Sequence, residues 1–246
     1  MVLAIIQARM GSTRLPGKVL REINDRPLLT YQLDRISKSK KLDKVVVATS
    51  ILEKDDAIEG FCKDYGVACY RGSENDVMSR YYNCAKLYNP NVVVRMTADC
   101  PLIDPEIIDK VIQKFENDSV DYCGNTAPPE TSKFPDGSDI EVFSMLALER
   151  ANLTVEDEHR REHVTFQFWQ DQNYTSSQYT QDKDWSNYRI TVDYPEDFEV
   201  VNYIFNVFKA KRIFGSLNEI VDIIENNKEI KEKNSKYFFG QGWFLL

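Results

Sequence analysis

Apolar residues in the N-terminal half of the chain follow two alternating patterns. Short continuous runs at Val2 to Ile6, Val45 to Ala48, Val67 to Tyr70 and Val92 to Val94 read as strands buried on both faces. Between them, apolar positions recur three to four residues apart. Leu28, Tyr31 and Ile36 follow Pro27, and Ile58, Phe61, Cys62 and Tyr65 follow Asp55 and Asp56. Val77, Tyr81, Cys84 and Ala85 follow Asn75 and Asp76, and Ile107, Ile108, Val111, Ile112 and Phe115 follow Asp104-Pro105. That spacing, opened by capping side chains and first-turn prolines, predicts helices. Strands alternating with helices predict an α/β fold, a mainly parallel central sheet with helices on both faces.

The rhythm changes from Ser119. A Pro-, Gly- and polar-rich stretch from Thr126 to Gly137 predicts a loop. Ile140, Val142 and Phe143 predict a strand, Met145 to Ala151 a short helix, and His159 to Trp169 one further helix. The polar stretch from Asp171 to Asn187 predicts no regular element; Arg189 to Val192 predicts a return to the sheet. Helices are expected over Pro195 to Lys209 and Ser216 to Asn226. With no repeat and no long linker, residues 1–246 read as a single domain, and 119–187 as an inserted lobe for an acceptor or for dimerisation. The tail, with Tyr237-Phe238-Phe239 and Trp243-Phe244-Leu245-Leu246, is apolar enough to dock on the domain or on a partner subunit.

The first strand runs into Gln7-Ala8-Arg9-Met10-Gly11-Ser12-Thr13-Arg14-Leu15-Pro16-Gly17-Lys18. Arg9, Arg14 and Lys18 fall within ten residues at the carboxyl end of a buried strand, where open α/β sheets bind ligands. Gly11 and Gly17 let the backbone approach closely, and exposed amides together with guanidinium and ammonium groups suit phosphate oxygens. Five residues separate Gly11 from Gly17, and Val19 stands where a Walker A loop needs a hydroxyl; G-x-G-x-x-G is absent. A polyphosphate loop of another kind is expected. Asp99 and Asp193 follow the Val92 and Arg189 runs, which brings both to the same sheet edge. Two carboxylates from separate segments suit a magnesium ion completed by phosphate oxygens, although Asp also caps turns and helices before proline.

Overall charge narrows the ligand. Lys plus Arg total 31 against 39 Asp plus Glu, a formal net charge of −8, which argues against a nucleic-acid partner but not against a small polyanion. Five cysteines without a C-x-x-C pair fit reduced thiols in a cytoplasmic protein. No apolar run is long enough for a signal peptide or a membrane span.

IIQARMGSTRLPGKVL resembles the opening of the F-type spore-coat polysaccharide cytidylyltransferases and is similar to the loop of 3-deoxy-manno-octulosonate (KDO) and related acylneuraminate cytidylyltransferases. VVVATS at 45–50, RGSENDVMSRYY at 71–82, VVRMTADCPLIDP at 93–105, FPDGSDIEVFS at 134–144, EHV at 162–164 and TVDYPEDFEVV at 191–201 extend the resemblance over about residues 2 to 205. It implies a nucleotide-diphospho-sugar transferase-like fold and transfer of CMP from CTP to a sugar acid or related acceptor, with release of pyrophosphate. It also implies a homodimer through the middle lobe.

Under that resemblance the nucleotide is expected against Gln7, Ala8, Arg9, Gly11, Ser12, Arg14, Lys18, Thr49, Arg71 and Thr97. Arg14 and Lys18 are expected on the β- and γ-phosphates, and Arg9 on charge building at the α-phosphate. Asp99 and Asp193 match metal-binding aspartates of KDO enzymes, whereas Thr97-Ala98-Asp99 departs from their Gln-Gly-Asp. Asp136, Arg160, Arg161 and His163 are candidates for the acceptor. His159 and His163 share metal-ligand spacing but lack an evident third ligand. Two other readings compete. A glycosyltransferase would use a D-x-D-like motif, for which Ser138-Asp139 and Asp182-Lys183-Asp184 are the nearest segments. A non-catalytic nucleotide-binding subunit would keep the loop without turnover.

Overall fold

A computed structural model describes residues 1–241. In chain order it contains β1 (Val2–Gln7), β2 (Glu22–Ile23), β3 (Arg26–Pro27), α1 (Leu28–Ile36), β4 (Lys44–Ser50), α2 (Asp56–Tyr65), β5 (Ala68–Gly72), α3 (Val77–Lys86), β6 (Val92–Thr97) and α4 (Pro105–Asp118). There follow β7 (Tyr122–Gly124), β8 (Glu141–Ser144), α5 (Met145–Thr154), α6 (Glu158–His163), α7 (Phe166–Gln170), β9 (Ser176–Gln178), α8 (Pro195–Lys211), α9 (Leu217–Glu225) and α10 (Lys228–Lys233). Seven strands form one sheet in the order β5-β4-β1-β6-β8-β7-β9, and β2 and β3 pair as a separate hairpin. The β5-β4-β1-β6 half is parallel throughout, so Gln7, Ser50, Gly72 and Thr97 end at one edge. β8 runs antiparallel to both β6 and β7, and β9 lies parallel to β7.

Alternation along β1 explains why helices cover both faces. Ala4 and Ile6 point into a core completed by α1, α4, α8 and α9, while Leu3 and Ile5 point into one completed by α3 and α5. All four side chains are fully buried. The helix starts follow their capping residues. Asp76 accepts from the Ser79 amide and Asp104 from the Glu106 amide, with Pro105 in the first turn of α4. Ser216 and Glu219 close a reciprocal capping box on α9.

Three expectations are corrected. His159 to Trp169 is not one helix, because Val164 at φ 64° breaks it into α6 and α7. The Val164 side chain is fully buried at that break, so packing overrides helical periodicity. Arg189 to Val192 is not a sheet strand; it is held by one bridge between Asp136 and Arg189 and by the Val192 amide donating to the Asp99 carbonyl. The stretch from Asp171 to Asn187 contains β9, whose Ser-Ser-Gln carries no apolar pattern. Residues 119–187 supply β7, β8 and β9 to the sheet and α5 to α7 beside it. All five cysteines are free. Among the described residues no helix is long and apolar enough to cross a membrane. Trp243 to Leu246 lie outside the described residues.

Candidate functional site

The loop after β1 folds back on itself at the parallel sheet edge. The Gly17 amide donates to the Met10 carbonyl at 3.1 Å, and the Met10 amide donates to Asp55 at 2.7 Å, which ties the loop to the start of α2. Gly17 adopts φ 68°, a turn that leads directly into a short 3-10 segment beginning at Lys18. An added Cβ at Gly11 would meet only the end of the Lys54 side chain, whose ammonium lies 2.7 Å from Glu74 and is free to shift. The Ser12 hydroxyl accepts from the Leu15 amide at 3.3 Å.

Lys18 is delivered between two carboxylates. Its Nζ donates to Asp99 at 2.7 Å and to Asp193 at 2.8 Å. Burial opposes the Lys18 charge, and the two aspartates outweigh that burial and hold the ammonium above its ordinary value. Burial likewise opposes charge on Asp99 and Asp193, and Lys18 holds both carboxyls below the usual range. Arg14 meets Asp193 at 2.8 Å and stacks over Tyr194. Behind them, buried Arg189 binds Asp193 at 3.0 Å, Asp197 at 2.9 Å and Asp136. Asp197 also accepts from the amides of Asp193 and Tyr194, so it, rather than Asp193, caps α8. The Asp193 carboxylate is thereby left facing Lys18.

A cavity of about 490 Å³ opens at this edge. Gln7, Arg9, Gly11, Ser12, Arg14, Lys18, Thr97, Asp99, Asp136, His163 and Asp193 line it together. Ala8 is buried beneath the loop, its amide bonded to Ala48. Thr49 is fully buried with no partner for its hydroxyl and does not line the cavity. Arg71 is turned away, binding the Ser50 and Leu52 carbonyls together with Asp56 and Glu59, and thus holds the β4–α2 connection. Arg161 is committed to Asp76 at 2.7 Å and to Asn152, outside the cavity, and Arg160 does not line it either. Asp184 caps Ser186 in an exposed loop.

Several lining residues were not singled out as site candidates, namely Arg95, Glu141, Glu162, Phe166 and Trp169, and Asp139 was noted only for the glycosyltransferase reading. Arg95 and Glu141 carried a signal, since each is a single charge inside a buried strand and the two are opposed in register across β6 and β8. Gln7 Oε1, Arg95 Nε, His163 Nε2 and Trp169 Nε1 are buried without protein partners, polar atoms that a ligand could satisfy. Burial, with Arg95 nearby, pushes the His163 imidazole down to about 3, so this ring is neutral and stacks on Phe166.

A loop bearing three cations, set against two aspartates at the carboxyl edge of a parallel sheet, defines a nucleotide-binding α/β transferase. The protein-family model for cytidylyltransferases matches residues 3–239. The chain belongs to the cytidylyltransferase family and is a CTP-dependent nucleotidyltransferase. It is 32% identical to the spore coat polysaccharide biosynthesis protein SpsF of Bacillus subtilis over 236 residues, 93% of this chain and 95% of that one. A solved cytidylyltransferase structure from Leptospira borgpetersenii superposes with a TM-score of 0.87 at 35% identity, covering 93% of this chain and 95% of the other. CMP:2-keto-3-deoxy-manno-octonic acid synthetase complexed with CTP shares the fold, with a TM-score of 0.63 at 16% identity over 83% of this chain and 98% of that one.

Proposed function

We propose that this enzyme transfers CMP from CTP to a hydroxyl of a sugar acid in the synthesis of a polysaccharide or glycoconjugate precursor. The observation that carries this reading is the convergence of Lys18, Arg14, Asp99 and Asp193 at one cavity. The acceptor oxygen attacks the α-phosphorus, the bond to the β-phosphate bridging oxygen breaks, and pyrophosphate leaves with the bonding pair. The acceptor proton passes to solvent. Arg14 and Lys18 turn from the aspartates to the β- and γ-phosphates, and Arg9, half-exposed at the rim, stabilises charge on the α-phosphate. Catalysis is positioning and charge stabilisation.

Asp99 and Asp193 already converge on a single ammonium, and a hard divalent cation suits the same pair, with phosphate oxygens completing its shell. Magnesium held there would polarise the α-phosphate and neutralise part of the triphosphate charge. The nucleotide lies over Gln7, Gly11, Ser12 and Thr97, and the acceptor occupies the side of the cavity built by residues from the 119–187 segment. The same segment carries exposed Leu146 and Leu153 on α5, which supports its use as the surface of a homodimer. The sugar-acid reading is supported by the sequence motifs shared with KDO enzymes. The test is pyrophosphate release with magnesium, each nucleoside triphosphate and a panel of 2-keto sugar acids. CTP-specific release with a sugar acid is expected; CTP binding without turnover of any acceptor would leave a nucleotide-binding subunit.

A further inference from the structure

The residues after α10 lie beyond the motifs that the sequence singles out, yet they are fastened to the segment that carries Asp193. Buried Asn234 donates through Nδ2 to the Arg189 carbonyl at 3.1 Å and to Asp197 at 2.9 Å. The Lys236 ammonium and the Tyr237 hydroxyl both donate to Glu196, at 2.6 Å and 3.1 Å. The Gly240 amide reaches Asp136 at 3.4 Å, and both residues line the cavity. These ties lay the Tyr237 ring flat on that of Tyr194, with 3.9 Å between centroids and 6° between planes.

Tyr194 is also where Arg14 rests. The Arg14 guanidinium lies over the Tyr194 ring, 5.1 Å from its centroid, and meets Asp193 at 2.8 Å. The two contacts differ in what they leave free. The ion pair occupies N–H donors that a phosphate would need, and it occupies Asp193. A ring face attracts the guanidinium through its quadrupole and leaves the in-plane donors open. The ring contact therefore survives when the ion pair is given up. A ring that could turn would offer no fixed face; stacking on Tyr237, itself bonded to Glu196, removes that freedom. An arginine held in this way has less rotamer freedom left to lose when it takes hold of an anion.

We propose that Tyr194 and Tyr237 are positioning residues for the nucleotide: their stacked rings keep Arg14 in place on the triphosphate once it has left Asp193. The inference rests on the cytidyl-transfer reading, in which Arg14 moves to the β- and γ-phosphates. It brings the C-terminal segment into the reaction through Tyr237, which touches neither substrate nor metal. The test measures the affinity of the full chain for CTP and for CMP, each with magnesium, by ligand-observed NMR. CMP lacks the two phosphates that Arg14 would hold, so it reports the rest of the nucleotide site and the fold.

Tyr237→Leu is expected to weaken CTP binding about five- to tenfold, the return from one ring–cation contact, and to leave CMP binding within about twofold. Tyr237→Phe, which keeps the ring, should bind both nucleotides like wild type. Tyr194→Leu, which removes the same contact directly, should reproduce the loss that is selective for CTP. Arg14→Ala/Tyr237→Leu should bind CTP no more weakly than Arg14→Ala alone, because the ring acts only through the arginine. Equal losses for CMP and CTP, an undiminished effect of Tyr237→Leu in the Arg14→Ala background, or wild-type CTP affinity in either leucine variant would overturn the proposal and leave cytidyl transfer standing. Failure of the wild-type chain to bind CTP would overturn the cytidyl-transfer reading and this inference with it.

Discussion

Lys18 is 8% exposed and shares its ammonium between two carboxylates that would otherwise face each other without a common counter-ion. Lys18→Ala therefore has two consequences. Pyrophosphate release should fall by roughly 10²–10³-fold, by analogy with losing one transition-state donor. Stability should fall by roughly 3–5 kcal/mol, the usual cost of breaking a buried pair, because Asp99 and Asp193 lose their common counter-ion. Chemical denaturation of Lys18→Ala alongside Lys18→Ala/Asp99→Asn separates the two effects: the double variant should regain much of the stability and none of the activity. A second residue-scale prediction concerns His163. Its folded value of about 3 lies below the ordinary histidine value of 6.5, so the unfolded chain binds the extra proton first. Stability should thus be full above about pH 6.5 and decline as pH falls below it. His163→Gln should flatten that part of the pH–stability curve, and the imidazole resonances of wild-type His163 should not titrate between about pH 8 and 5.

At the scale of elements, the turn 134–139 and the extended segment 189–193 must lie against each other for Asp193 to reach Lys18. Gly137 allows it: at φ 99° it passes so close to Thr191 that an added Cβ would fall on the Thr191 backbone nitrogen. Gly137→Ala should cost roughly 2–6 kcal/mol through strain and overpacking together, and should lower CTP affinity as well as melting temperature. A melting temperature and CTP affinity like wild type would show that this contact does not position Asp193. The same contact shows why part of the fold escaped sequence reading. The parallel half was legible because its strands read as continuous apolar runs followed by helical periodicity, two of the helices being capped by Asp76 and Asp104. β7 and β9 were not, because three-residue strands are too short to carry a period, and Ser176-Ser177-Gln178 is polar. The segment 189–192 has a strand's sequence but pairs with loops, and Val164 breaks a helix whose periodicity runs through it. The loop and both aspartates could be read from motif and strand ends. Trp169 could not, and Asp139 was met only as part of a competing metal motif, because the packing of the 119–187 segment brings them to the cavity.

For the whole molecule, one face carries the sheet edge with its cavity, and α5 exposes Leu146 and Leu153, 77% and 76% accessible, away from either core. If that face joins two copies, Leu146→Glu/Leu153→Glu should convert a dimer to a monomer in sedimentation equilibrium without unfolding it; a wild-type chain that sediments as a monomer contradicts the dimer. The net charge of −8 makes the local cations of the first loop the evident attraction for a triphosphate, so CTP affinity should weaken as salt rises. The central claim is that this cavity moves CMP. The most direct measurement is pyrophosphate release by the purified chain with magnesium and CTP, in the presence and absence of sugar-acid acceptors, beside Asp99→Asn and Asp193→Asn controls. The account predicts acceptor-dependent release with CTP, at least about 10²-fold slower in either control. Release of a nucleoside diphosphate from a nucleotide-sugar instead, or turnover unaffected by both substitutions, would contradict it.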